Sequence, residues 1–110
     1  MTRKNTELLQ GTLDLIVLKV LQAGPANGWQ ITQSIEVLSK DILRVNYGSL
    51  YPALQRLETR GWLESEWRPS ENNRRAKYYT LTAAGRRQLT AERETWERFS
   101  DALGAILGTT

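Results

Sequence analysis

The sequence predicts a mainly α-helical fold with one small β-hairpin and a long C-terminal helix. Three observations carry that expectation. Leu50, Leu54 and Leu57 recur at helical spacing within residues 45–64. Runs of β-forming residues flank a polar stretch at 69–76, the pattern of strand, tip and strand. Leu89, Trp96 and Leu103 recur every seven residues, with Phe99 and Ile106 three positions beyond Trp96 and Leu103, which is heptad spacing on one extended helix.

Bulk properties bound the function. A chain of 110 residues is a single small domain with a modest core, and oligomerisation would add to its stability. Apolar residues make up 40% and charged residues 25%, so the chain should fold. Cysteine and histidine are both absent, which removes disulfides, Cys-dependent zinc sites and Ser-His-Asp triads. Gly24 and Gly28 lack the surroundings of a phosphate loop. The expectation is a protein that is not an enzyme, with no metal site and no cofactor. The first ten residues lack the apolar core of a secretion signal, and the most apolar run, residues 13–21, is too short to span a bilayer. A cytoplasmic location with no membrane partner is expected.

Charge is unevenly spread over a net +3. Residues 1–41 carry four Lys/Arg and four Asp/Glu, residues 42–87 carry nine against four, and residues 88–110 carry two against four. A middle segment of net +5 is an electrostatic footprint for nucleic acid, though a solvated surface can look the same.

In chain order, residues 12–22 form an apolar helix with two stripes: Leu13, Ile16, Val17, Val20 and Leu21 on one side, Leu15 and Leu18 with upstream Leu8 on the other. The second stripe either meets a partner subunit or lies within the monomer. Residues 23–28 break that helix, with Gly24 and Pro25 stopping it and Asn27 placed to cap the next. The second helix, about 28–39, presents Ile31, Ile35 and Leu38 inward and Gln30, Gln33 and Glu36 outward, with Trp29 read as a core or staple residue. Ile42 and Val45 suggest a very short strand. The third helix buries Leu50, Leu54 and Leu57 and turns Pro52, Gln55, Arg56 and Thr59 away; Gly61 supplies its C-terminal stop. A hairpin follows whose tip holds Asn72, Asn73, Arg74 and Arg75, with Lys77 next. Thr82 caps the final helix, whose 25 residues at 83–107 would span about 37 Å, longer than a domain of this size needs. That helix is expected to reach a second subunit.

Three helices followed by a β-hairpin is the order of a winged helix-turn-helix, in which the third helix enters the major groove and the hairpin is the wing. The expected organisation is a DNA-binding unit at 8–81, a dimerisation helix at 82–107, and flexible termini at 1–7 and 108–110. Base reading falls to Tyr47, Gln55 and Arg56, since Gln pairs with adenine and Arg with guanine. Ser49 either donates to a phosphate or caps the helix. Asn73, Arg74, Arg75 and Lys77 would contact DNA from the wing, the cations setting affinity through phosphates. The rival reading is a winged helix that binds a partner protein, for which an apolar wing would be the sign.

The stretches GPANGWQI at 24–31, YGSLYPALQRLETRGWLE at 47–64 and RRAKYYTLTAAGRRQL at 74–89 resemble the three signature regions of PadR-like transcriptional regulators. The resemblance runs from about Leu8 to Trp96, and the single last helix is similar to the short subfamily. It implies a homodimeric repressor on a palindromic double-stranded operator, paired through the first and last helices. The dimer residues are then Leu8, Leu15, Leu18, Leu89, Trp96, Phe99, Leu103 and Ile106. It also implies that Tyr51 reaches DNA, where the residues alone leave packing against Trp62 or Tyr78 open. Trp96, with Leu15 and Phe99, would stack on a planar hydrophobic effector, or simply fill a dimer core. The chain departs from the family's usual pattern at Asn27 and Trp29, and in a wing with Ser70, Glu71, Asn72 and Asn73 in place of glycines.

Overall fold

A computed structural model describes the backbone of residues 2–108 and the side chains of residues 12–108. The elements are α1 (Thr2–Leu21), β1 (Ala26–Asn27), α2 (Gly28–Leu38), α3 (Tyr47–Thr59), β2 (Leu63–Pro69), β3 (Arg75–Leu81) and α4 (Ala83–Leu107). The three strands form one antiparallel sheet in the order β1-β3-β2, so the fold is mainly helical with a small sheet. Among the described residues, no helix is long and apolar enough to cross a membrane.

The core gathers Leu13, Val17, Leu18 and Leu21 of α1 against Ile31 and Ile35 of α2, the buried leucines of α3, and Leu63, Tyr79 and Leu81 of the sheet. Leu50, Ala53, Leu54 and Leu57 are the buried face of α3, as their spacing predicts. Leu18 is fully buried and Leu89 is 3% exposed, so both belong to the chain's own core and offer nothing to a partner. That corrects their expected place in a dimer interface. Packing of α1 by α2, α3 and α4 covers Leu18 of the second stripe within one chain, while Leu15 stays partly exposed. Leu8 lies outside the described side chains.

Capping follows the sequence closely at α2. The Asn27 side chain accepts from the Gln30 N–H at 2.9 Å, and the Gln30 side chain accepts from the Asn27 N–H at 3.0 Å, a reciprocal capping box. Gln30 is therefore tied to the cap instead of pointing outward. Because Asn27 is extended there, residues 26–27 also pair with Tyr79 and Tyr78 of β3. The third strand thus lies in the turn before α2, not at Ile42 and Val45. Lys40 and Asp41 both take positive φ, the Asp41 N–H closes back onto the Glu36 carbonyl at 2.8 Å and the Ile42 N–H onto the Ser39 carbonyl at 3.1 Å, so the chain is still turning at Ile42. Leu38, at the end of α2, is 68% exposed and does not extend the stripe of Ile31 and Ile35.

At α3 the cap is Asn46, whose side chain accepts from the Ser49 N–H at 2.9 Å. Ser49 is thus an inner residue and not the cap. The helix ends in a Schellman arrangement: the Gly61 N–H donates to the Glu58 carbonyl at 2.9 Å and the Trp62 N–H to the Leu57 carbonyl at 3.0 Å, with Gly61 at φ 81°. The hairpin pairs Leu63 with Leu81 through Pro69 with Arg75. Its tip turns at Asn73, φ 65°, a conformation that Asn tolerates and that the missing wing glycines would otherwise supply. Thr82 caps α4 by accepting from the Gly85 N–H at 3.0 Å and donating to the Gly61 carbonyl at 2.7 Å. One hydroxyl thus ties the start of α4 to the end of α3.

Candidate nucleic-acid interface

The exposed side of α3 is flanked differently on its two edges. Pro52, Gln55 and Thr59 lie in water along its middle. On the edge toward the hairpin, the Tyr47 and Tyr51 rings stand 5.6 Å apart at 36°, and the Tyr51 hydroxyl accepts from Gln55 Nε2 at 3.0 Å. Tyr51 therefore packs on Tyr47 and Gln55, and not on Trp62 or Tyr78. Partial burial, then the neighbouring Tyr51, raise the Tyr47 pKa above its ordinary value, so the Tyr47 phenol stays a protonated donor near neutral pH.

Glu58 anchors this edge to the sheet. It accepts a short hydrogen bond from the Ser65 hydroxyl and pairs with Lys77 Nζ at 3.8 Å. The hairpin's angle against α3 is set by these contacts.

Between the starts of α2 and α3 and the hairpin lies an open groove of about 580 Å³. Tyr47, Tyr51, Arg74, Arg75 and Lys77 all line it, so five of the residues expected to meet DNA converge on one surface. Arg74 and Arg75 have no carboxylate partner among the described residues, whereas Lys77 is partly neutralised by Glu58. The Arg75 guanidinium lies 6.0 Å from the Trp67 ring centre. Two cations near the tip are thus held in water, which is costly for nothing and favourable for an anion.

Four expected residues fall elsewhere. Gln55 lies in water along the middle of α3 and does not line the groove. Arg56 lies on the opposite edge of α3, where its Nη2 donates to Asp14 Oδ1 of α1 at 2.8 Å, so it does not extend as a free base reader. Asn73 forms the turn at the tip and does not line the groove. Ser49 is half-buried beside the cap, also outside the groove lining.

Sequence reasoning missed Trp29 and Trp67. Trp29, expected as a core or staple residue, is 66% exposed, and Trp67 is 58% exposed; both line the groove. Trp29 begins α2 beside the capping box and points out where Ile31 points in. Trp67 shares a strand face with Leu63 and Ser65, but at that distance along the hairpin the core has ended. The imperfect alternation of residues 62–68 was the one signal available.

A second surface lies between α1 and α4. Leu15, Trp96 and Phe99 line one groove of about 530 Å³ between α1 and α4, with Glu92 on its wall. The Trp96 and Phe99 rings are 5.8 Å apart at 38°. Past Leu89, α4 has no buried residue: Trp96, Phe99, Leu103 and Ile106 lie in water along it.

Comparison with known proteins agrees with this architecture. A sequence model of the Transcriptional regulator PadR-like family matches residues 17–91. A transcriptional regulator of Mycobacterium tuberculosis is 35% identical over 94 residues, covering 86% of this chain and 84% of that protein. The crystal structure of a PadR family transcriptional regulator from Eggerthella lenta superposes with a TM-score of 0.80 at 33% identity, over 99% of this chain and 93% of that one. A transcriptional regulator from Clostridium thermocellum gives a TM-score of 0.82 at 26% identity, over 90% of this chain and 96% of that one. The match spans α3 and the whole hairpin, the parts that build the groove, and on this footing the chain belongs to the PadR-like family of transcriptional regulators.

Proposed function

We propose that the chain is a sequence-specific repressor that binds a palindromic double-stranded operator as a homodimer and is released by a planar hydrophobic effector. The observation that carries the DNA reading is the groove in which Tyr47 and Tyr51 of α3 face Arg74 and Arg75 of the hairpin, neither arginine having a carboxylate partner among the described residues. Gln55 and the tyrosines supply groups for base edges, and the arginines supply phosphate contacts. The rival reading, a module for protein partners, is disfavoured by Arg74, Arg75 and Lys77 lining the same groove as the exposed Trp67. A gel shift on the DNA upstream of its own coding sequence, at two salt concentrations, tests this. Binding that persists against random competitor DNA is expected; binding equal on both and lost with salt would contradict it.

The dimer and effector readings rest on α4. Its uncovered stripe of Trp96, Phe99, Leu103 and Ile106 supports a second copy as the partner, with Leu15 on the flank of α1 joining it. Residues 8–81 then act as the DNA-binding unit and 82–107 as the dimerisation helix. Trp96 and Phe99 above Leu15, with Glu92 beside them, suit a flat ligand carrying positive charge. Planar cationic dyes should quench tryptophan fluorescence in the parent and not in Trp96→Ala. If no such dye quenched the parent, Trp96 would be a dimer-core residue alone.

A further inference from the structure

The α1 edge of α3 has a charge arrangement that DNA binding by itself would not call for. Asp14 sits on α1 directly after Leu13, which is buried, so its carboxylate is fixed by a packed helix and not by a mobile loop. Its Oδ1 takes the Arg56 guanidinium at 2.8 Å, and its Oδ2 lies 4.0 Å from Arg60 Nη1. The Asp14 side chain is only 21% exposed, while the two arginines reach the same open surface as Pro52, Gln55 and Thr59. Arg60 is further held 5.3 Å from the Trp62 ring centre. On the opposite edge Glu58 engages Lys77. Among the described residues, each cation on or beside α3 is therefore engaged by a carboxylate, and the free cations near the groove are Arg74 and Arg75 on the hairpin.

We propose, on the footing of the DNA reading above, that Asp14 is a built-in stand-in for a DNA phosphate. It holds Arg56 and Arg60 off the duplex and so makes the complex depend on base contacts. Phosphate contacts supply nearly all non-specific affinity, so withholding two of them lowers binding to random DNA more than binding to the operator. Asp14 is thus a specificity-determining residue that never touches the DNA.

The test is Asp14→Asn, which keeps shape and removes charge. Fluorescence anisotropy would follow binding to a duplex from the upstream region and to a random duplex of equal length, over a series of salt concentrations. Each arginine released onto a phosphate steepens the log–log salt slope by about 0.9, so a slope steeper by about 1–2 is expected. Random-duplex affinity should rise by roughly tenfold at low salt, and the preference for the upstream duplex should shrink. An unchanged or shallower slope in a variant that still melts cooperatively would overturn the proposal, leaving Asp14 as a helix-packing residue. Should that variant not fold, Arg56→Gln serves: its slope should equal the parent's, and a loss of about 0.9 would overturn the proposal because Arg56 would already be on a phosphate. If the parent binds neither duplex, the DNA reading fails and this proposal with it; a binding parent with unresponsive variants removes the Asp14 claim alone.

Discussion

Gly28 offers a way to move Tyr47, a proposed base-reading side chain, without touching it. A Cβ placed on Gly28 would lie 2.5 Å from Tyr47 Cε1, where ordinary contact begins near 3.4 Å. The Tyr47 ring must then swing outward by about 1 Å or more, away from its place beside Tyr51. Stability should change little, since the ring is half in water already and Ala is a better helix former than Gly by up to about 1 kcal/mol. DNA affinity should fall by roughly tenfold, about 1.4 kcal/mol, because the tyrosine no longer faces the groove. The assay is anisotropy on the upstream duplex for Gly28→Ala, Tyr47→Ala and the double variant, with thermal melts of each. If Gly28 acts only through Tyr47, the double variant binds no worse than Tyr47→Ala. A Gly28→Ala variant that binds like the parent, or losses that simply add in the double variant, would refute the reasoning.

Other expectations are independent of that ring. Gly85→Ala should be far more damaging to the fold than Gly28→Ala, because its Cβ would overlap the Trp62 carbonyl oxygen, which is backbone and cannot swing aside. A loss of about 2–4 kcal/mol, read as a melting point lower by roughly 10 °C or more, is expected. Arg75→Ala should weaken binding on every sequence and flatten the salt slope by about 0.9, while leaving the melting point in place; unchanged binding at several salt concentrations would remove it as a phosphate contact. Tyr79 has its pKa pushed up to about 12 from 10.0, by burial first and then by Tyr47, Glu58 and Tyr51. The protonated phenol is thus favoured in the folded state. Its contribution is complete below pH 10 and is lost between pH 10 and about 12, so denaturant midpoints should fall across that window and should fall less in Tyr79→Phe.

Local chemistry was readable from the sequence because it acts over a few residues. Leu50, Leu54 and Leu57 declare a helix by spacing alone, and Asn27, Gly61, Asn73 and Thr82 each sit where backbone geometry demands their type. The groove itself was half legible: the tyrosines and wing cations were named, but not the two indoles that complete it. Periodicity assigns an apolar residue to the core, and Trp29 and Trp67 lie where the core has run out. Arg56 failed for another reason. Its partner Asp14 is 42 residues away, and nothing in the spacing of either helix brings them together. Leu18 and Leu89 show the same limit in reverse, since a second apolar stripe cannot say whether its cover comes from this chain or another. The strand at Ala26–Asn27 was hidden because two residues carry no period, and its pairing depends on β3 lying alongside.

The central claim is that two copies of this groove read one operator together. Hydroxyl-radical footprinting of the upstream duplex with the parent protein tests it most directly. Two protected blocks related by a dyad, about one helical turn apart, are the expected result, with protection weakened evenly in Arg75→Ala. A single asymmetric block, or uniform protection along the duplex, would contradict it.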